Sequence, residues 1–317
     1  MSNETTFQWV IPDLLRITKP GGVYLGVGPD QNFTYLIALK PQIAFIFDIR
    51  RQNMLTHLMY KAIIEESMDR QDFLSRLFAR ARPEKTDSAS TAEALFTALA
   101  AVPPDSTSMA RHLGEIKDRL TKTHRFVLSD EDLATIAYVY QSFVIAGPGI
   151  NYNFSLSGGN GYSRGRMPSY ADLQMATDSA LVHRGYLATE VNFRALKTLE
   201  TNNLVVPLVG DFGGPKAIRA VGDYLRQNKA TVTAFYLSNV EQYLFQDEGG
   251  NRFYKNVGTL PLDSSSTFIR SVFNGMGYGS YNSPMRARQM LASMLEQVKL
   301  FNEGKITSYA DVIRTSR

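Results

Sequence analysis

Residues 23–48 read VYLGVGPDQNFTYLIALKPQIAFIFD. The two ends of this stretch, residues 23–28 and 42–48, are short and almost continuously apolar, which is typical of strands that are buried on both faces. Between them, Asp30 takes a helix N-cap position ahead of apolar residues at helical spacing, and Pro41 ends that helix. The stretch therefore predicts a βαβ unit with two adjacent parallel strands and a right-handed crossover.

The turn between the first strand and the helix contains Gly26 and Gly28. Glycines at this place let a ligand approach the backbone closely, because no Cβ atom is in the way. Asp48 ends the next strand, and a carboxylate there can accept hydrogen bonds from two ribose hydroxyls. These residues predict a nucleoside site, although they could also make only a tight turn and a helix cap.

The turn departs from the dinucleotide fingerprint, because Gln31 stands where the third glycine is expected. Asp30 also places a carboxylate at the helix N-terminus, where it would repel a pyrophosphate. A nucleotide-binding oxidoreductase is therefore disfavoured. A nucleoside without phosphate remains compatible with the turn, and the negative charge of Asp30 would favour a sulfonium cation.

The α/β pattern is interrupted after Asp48. Mainly helical patterns fill residues 51–203, at 52–82, 92–101, 107–120, 129–146 and 188–201. Strand patterns return at 204–211, 231–238 and 266–272, with a helix at 214–227 and an amphipathic helix at 284–303. We therefore predict a Rossmann-like core formed by residues 1–50 and 204–317, with a large helical insertion after the second strand.

The turn Gly26-Val27-Gly28-Pro29, followed by Asp48, resembles motif I and the following acid of the class I S-adenosylmethionine-dependent methyltransferases. Residues 208–211 (LVGD) are similar to the end of that family's third strand, and residues 235–240 (FYLSNV) to its fourth strand and motif IV. The resemblance implies a doubly wound sheet and S-adenosylmethionine as cofactor. It implies that the cofactor contacts Gly26, Gly28, Asp30, Asp48 and Asp211. The whole chain is also similar to a bacterial family of uncharacterised activity with that fold.

The sequence departs from the methyltransferase pattern in three places. Tyr24 stands where an acid is usual, Asp30 replaces the third glycine, and motif IV lacks the D/N-P-P-Y/F run. Two functions therefore stay open. One is an S-adenosylmethionine-dependent methyltransferase of unknown substrate, and the other is a non-catalytic ligand-binding or scaffold protein that retains the fold.

The insertion contributes a segment rich in glycine, asparagine and tyrosine, residues 147–170. Because the insertion leaves the core directly after Asp48, at the edge where ligands bind in such sheets, we expect this segment to cover the site. The side chains expected to bind a small-molecule substrate are Tyr152, Tyr162, Arg164 and Arg166. Tyr162 and Asn239 are the candidate catalytic residues. The alternative is a polar surface loop.

The composition excludes several classes of protein. The chain has no cysteine, which excludes disulfide scaffolds, thiolate nucleophiles and cysteine metal sites. Its four histidines form neither HxxxH nor HxH, so we predict no metal site. The net charge of +4 comes without a basic run, and we predict no nucleic-acid partner. Because no apolar run reaches membrane length and no signal-peptide pattern is present, we expect a soluble, cytoplasmic protein.

Overall fold

The computed structural model describes residues 2–156, 167–247, 249–273 and 287–317. Its centre is a six-stranded sheet in the order β3-β2-β1-β4-β5-β6. The strands are β1 Val23–Val27, β2 Ile43–Asp48, β3 Val205–Val209, β4 Val232–Ser238, β5 Thr267–Phe273 and β6 Ala287–Ser293. The first five strands run parallel to their neighbours, and β6 runs antiparallel to β5. The chain is therefore a mixed α/β protein with a mostly parallel sheet.

The predicted pairing of the first two strands is confirmed. β1 and β2 are parallel neighbours whose register runs from Val23 opposite Ile43 to Val27 opposite Phe47. All five residues of β1 are buried, as the continuous apolar run predicts for a strand covered on both faces. The carboxyl ends of both strands consequently meet at one edge of the sheet, directly before Gly28 and at Asp48.

Helices fill the connections of this sheet. Before β3 they are α1 Ile11–Ile17, α2 Gln31–Leu39, α3 Arg51–Glu66, α4 Arg70–Phe78, α5 Ala92–Ala100, α6 Ser106–Asp118, α7 Asp130–Ala146, α8 Tyr170–Gln174 and α9 Glu190–Thr201. After β3 they are α10 Ala217–Gln227, α11 Val240–Leu244, α12 Gly249–Val257, α13 Met294–Asn302 and α14 Tyr309–Arg314. The described part of the chain between β2 and β3 is thus mainly helical, as the sequence predicts.

One sequence prediction is wrong. The stretch 284–303 was expected to be a single helix. Residues 284–286 lie outside the described residues, and of the rest Ala287–Ser293 forms β6 while Met294–Asn302 is helical. Methionine, leucine, alanine and arginine all favour helix locally. Pairing along the whole of β5, from Phe273 opposite Ala287 to Thr267 opposite Ser293, overrides that local preference.

The insertion is joined to the core around Phe33, on α2. Its ring is fully buried and contacts His57, Tyr60 and Tyr186 edge-on, with ring centroids 5.3–5.6 Å apart. Burying an aromatic side chain of this size contributes about 2–3 kcal/mol, and edge-to-face contacts add to that. The insertion is therefore packed directly against the helix that follows the glycine turn.

The segment before α1 is also part of the core. Glu4, Phe7 and Gln8 are almost fully buried. The Tyr35 hydroxyl of α2 donates to the Phe7 carbonyl at 2.8 Å. This segment therefore packs against α2 from a different direction than the insertion does.

Candidate functional site

The carboxyl end of β1 leads into a turn that is open at Gly28. Gly28 has φ +76°, a left-handed conformation that strongly favours glycine, and a Cβ atom there would have no atom of a described residue within 4 Å. Its carbonyl oxygen accepts hydrogen bonds from Asn53 Nδ2 at 3.1 Å, from His57 Nε2 at 2.8 Å and from Asn32 Nδ2 at 3.2 Å. These three hydrogen bonds to the carbonyl oxygen hold the turn in place. The position of a Cβ atom on Gly28 is not occupied by any described residue.

His57 holds this turn as a neutral imidazole. Because a carbonyl oxygen only accepts, the hydrogen bond to Gly28 assigns the proton to Nε2. Burial lowers the pKa of His57 to about 4, and the bond to Gly28 and the charge of Asp48 oppose this only in part. Its Nδ1 atom is buried without a hydrogen-bond partner.

The space in front of Gly26 is filled by the protein itself. A Cβ atom on Gly26 would lie 2.0 Å from Asn32 Oδ1 and 2.7 Å from Tyr24 Cε1. The Tyr24 hydroxyl donates to Asn32 Oδ1 at 2.8 Å, and both side chains are fully buried. Gly26 is therefore required for the packing of its neighbours, and Tyr24, the departure from the methyltransferase pattern, takes part in that packing.

Asp30 points into the insertion. Asp30 is the N-cap residue of α2, as predicted, but its side chain makes no capping hydrogen bond. It is 2% exposed instead, and its Oδ2 atom accepts from Gln174 Nε2 at 2.7 Å and from the Tyr186 hydroxyl at 3.4 Å. Burial raises the pKa of Asp30, which the hydrogen bonds from Tyr186 and Gln174 partly offset. In this arrangement the carboxyl group faces the protein and not an open cleft.

Asp48 lies at the end of β2, beside the open turn. Its Oδ1 atom accepts from the backbone N–H of Arg50 at 2.9 Å. Its Oδ2 atom has no hydrogen-bond partner among the described residues. Beside it, Ile49 and Val209 at the ends of β2 and β3 are 66% and 43% exposed. Asp48 also forms an ion pair with Arg50, whose Nε atom lies 3.5 Å from Oδ1, and its side chain is 8% exposed. Its Oδ2 atom and two exposed apolar side chains therefore lie together at this edge.

The remaining predicted core residues also follow strand ends. Asp211 is exposed after β3, and its Oδ1 atom accepts from the backbone N–H of Gly213 at 2.9 Å. Asn239 is half-buried after β4, its side chain makes no capping hydrogen bond to α11, and its Oδ1 atom lies 3.4 Å from the Ser238 hydroxyl oxygen. Both residues are placed at the edge that the sequence predicts, but neither is shown in contact with Asp48.

The predicted substrate residues are only partly covered by the described structure. Tyr162, Arg164 and Arg166 lie outside the described residues. Tyr152 is 53% exposed and makes no hydrogen bond with any described residue. Tyr170, at the end of the same segment, is buried, and its hydroxyl lies 2.6 Å from that of Tyr186. One end of the segment thus reaches the neighbourhood of Asp30.

Glu4 is a buried polar residue near the site that was not predicted from the sequence. This carboxyl group is 1% exposed and accepts hydrogen bonds from Tyr236 at 2.8 Å, from Ser238 and from Ser271, at the end of β4 and in β5. Burial raises its pKa. Ser238 has φ +52°, an unusual conformation for a residue other than glycine. The polar residues next to Glu4 in the sequence give no indication of its contact with β4 and β5.

Asn53 and His57 were also missed, although the sequence carries a signal for them. They are four residues apart on α3, directly after Asp48, and this spacing puts them on one face of a helix. Their common acceptor, Gly28, could have been expected from the parallel pairing of β1 and β2.

These features define a mixed α/β protein with a candidate ligand site at the carboxyl ends of β1 and β2. Residues 1–142 and 156–307 match the model of a family described as Domain of unknown function (DUF7790), and the chain belongs to that family. A search of the curated proteins finds no match to the chain. In the described residues, no helix is long and apolar enough to cross a membrane, and no three acidic or histidine side chains group into a metal site.

Proposed function

We propose that this protein is an S-adenosylmethionine-dependent methyltransferase acting on a small molecule, with a Rossmann-like, doubly wound core. The strand order β3-β2-β1-β4-β5 with parallel neighbours supports this fold assignment. The cofactor would supply an electrophilic methyl group, and the protein would supply position and orientation.

The observation that carries the proposal is the pairing of an open glycine with the carboxylate of Asp48, whose Oδ2 atom has no hydrogen-bond partner among the described residues. Gly28 and Asp48 each follow a member of the register pair Val27 and Phe47, so they are neighbours across two parallel strands. Asp48 Oδ2 is free to accept from ribose hydroxyls, and the exposed Ile49 and Val209 offer apolar surface to a base. The nucleoside half of the cofactor therefore fits this edge.

The methionine half of the cofactor would find fewer of its expected contacts accessible. Asn32 fills the space in front of Gly26, so only Gly28 is left for close approach. Asp30 is buried beneath the insertion. We infer that the cofactor would pass over Gly28, with Asp48 as its principal polar contact.

Isothermal titration calorimetry with S-adenosylmethionine and S-adenosylhomocysteine tests the proposal. Asp48→Asn should weaken binding by about tenfold to a hundredfold, since a charged acceptor contributes about 1.5–3 kcal/mol. Asp223→Asn is the matched control, because Asp223 is an exposed residue of α10 that pairs with Arg226. Absence of binding at millimolar concentration would overturn the proposal.

A second candidate is a non-catalytic ligand-binding or scaffold protein that retains the fold. The filled space at Gly26 favours it, and so does the position of Glu4 over the ends of β4 and β5, where an acceptor would have to approach. It predicts that S-adenosylmethionine binds no more tightly than adenosine. Tighter binding of the full cofactor would contradict it.

A further inference from the structure

A cavity lies at the β6 edge of the sheet, remote from Gly28 and Asp48. It has a volume of about 680 Å³, within the range of small-molecule sites. One wall is β6, the edge strand, and the other is α1 with the turn before it. Three strand positions separate β6 from β1, so this cavity is distinct from the candidate cofactor site.

Both walls of the cavity are firmly held. Ile11 and Leu14 anchor α1 in the core with no exposed surface. β6 pairs with β5 along its whole length. On its other edge, Leu291 exchanges two backbone hydrogen bonds with Arg317, at 2.7 and 2.9 Å. The cavity therefore exists before any ligand enters, which reduces the entropic cost of binding.

The lining divides into an apolar part and a basic part. The apolar part consists of Trp9, Val10, Ile17 and Leu291. Trp9 is 46% exposed, a large apolar surface for a side chain of this kind. A hydrophobic chain or ring that covers this surface would remove it from water, and the free energy of that burial would favour binding.

The basic part contains three guanidinium groups and one side-chain carboxylate, that of Asp13. Arg16 pairs with Asp13, whereas Arg288 and Arg317 form no ion pair with any described residue. Guanidinium groups bind carboxylates in a bidentate manner. We propose that this cavity binds a small amphiphilic anion, an apolar chain or ring that carries one carboxylate, with the carboxylate held by Arg288 and Arg317.

The test uses Trp9, the only tryptophan of the chain, as a built-in reporter. Octanoate should shift Trp9 emission to shorter wavelength as it covers the ring, with saturation. 1-Octanol and octylammonium carry the same chain without the negative charge, and each should bind about tenfold more weakly or not at all.

The double variant Arg288→Gln/Arg317→Gln should lower octanoate affinity about tenfold or more. Arg314→Gln is the control, since Arg314 pairs with Asp311 and does not line the cavity. Circular dichroism and thermal unfolding show that each variant is folded, and calorimetry gives a second measure of affinity. Unchanged Trp9 emission at millimolar octanoate, equal affinity for octanol, or full affinity in the double variant would each overturn the proposal.

Discussion

Gln174 of the insertion donates a 2.7 Å hydrogen bond to Asp30 at the end of the glycine turn, and both side chains are about 98% buried. This contact joins two parts of the chain that are 144 residues apart. Since Tyr186 and Tyr170 continue the same network, the position of the insertion and the shape of the turn depend on each other.

Loss of the Gln174 amide should destabilise the protein. Gln174→Ala leaves the buried Asp30 carboxyl without its shortest hydrogen bond and opens a small cavity, at a cost of about 2–4 kcal/mol. Urea unfolding measures the change. Gln246→Ala, at an exposed position, should stay within about 0.5 kcal/mol of wild type. Equal effects of the two substitutions would show that the bond to Asp30 contributes nothing.

The two glycines of the turn should respond differently to alanine. Gly26→Ala forces a Cβ atom against Asn32 and should cost about 1–3 kcal/mol by overpacking. Gly28→Ala meets no atom but places alanine at φ +76°, at a cost of about 1–2 kcal/mol. A second substitution, Asn32→Ala, should therefore offset part of the Gly26→Ala effect and none of the Gly28→Ala effect. Equal rescue in both backgrounds, measured by urea unfolding, would contradict the packing role of Gly26.

The contribution of Glu200 to the stability of the protein should fall as the pH rises from about 5 to 8. Burial raises the pKa of Glu200 from 4.5 to about 8, opposed by the charge of Lys61 and reinforced by that of Glu65. Between pH 4.5 and about 8, the folded state therefore keeps the proton of Glu200, whereas the unfolded state has released it. The contribution of Glu200 is complete below pH 4.5 and is lost as the pH rises through 8, by up to about 1.4 kcal/mol per pH unit.

Glu200→Gln should flatten this dependence, because glutamine does not titrate. Urea unfolding at pH 5, 6, 7 and 8 measures it in the wild type and the variant. Glu84→Gln, in an exposed loop, is the control and should leave the slope unchanged. A wild-type slope that survives in Glu200→Gln would assign the effect to another group.

The buried ion pair of Arg270 and Glu241 should be costly to break on one side only. Arg270 Nη2 lies 3.0 Å from Glu241 Oε1, and both side chains are 2% exposed. Arg270→Met leaves a buried carboxylate without its cation and should cost about 3–5 kcal/mol. The double variant Arg270→Met/Glu241→Leu should recover part of the loss. A double variant that is less stable than the single one would show that the pair gives net stabilisation.

The sequence predicts those strands and helices that are determined by their own residues and not by distant ones. The continuous apolar runs that form β1 and β2 require burial on both faces, and this alone predicts parallel neighbours. β6 could not be predicted in this way, since its residues favour helix and only the free edge of β5 makes them a strand.

The residues of the candidate site also fall into those that the strand pattern predicts and those that it does not. Asp48 and Gly28 follow strand ends, so their placement at one edge comes from the strand pattern. The filling of the Gly26 space by Asn32 and the turn of Asp30 towards Gln174 depend on side chains that meet only in the folded chain. Glu4 is the extreme case, because three of its side-chain partners, Tyr236, Ser238 and Ser271, lie more than 200 residues away.

The contact of Glu4 with Ser271 spans 267 residues, and this separation bears on synthesis in the cell. At roughly 5–20 residues per second, the ribosome needs on the order of tens of seconds to produce Ser271 after Glu4 has emerged. During that time the carboxylate of Glu4 stays in water, and the segment that contains Glu4 cannot complete its packing against the end of β4. Glu4 is therefore made well before its partner Ser271 and is among the last groups to reach its final place, and closing this long loop should limit the rate of folding.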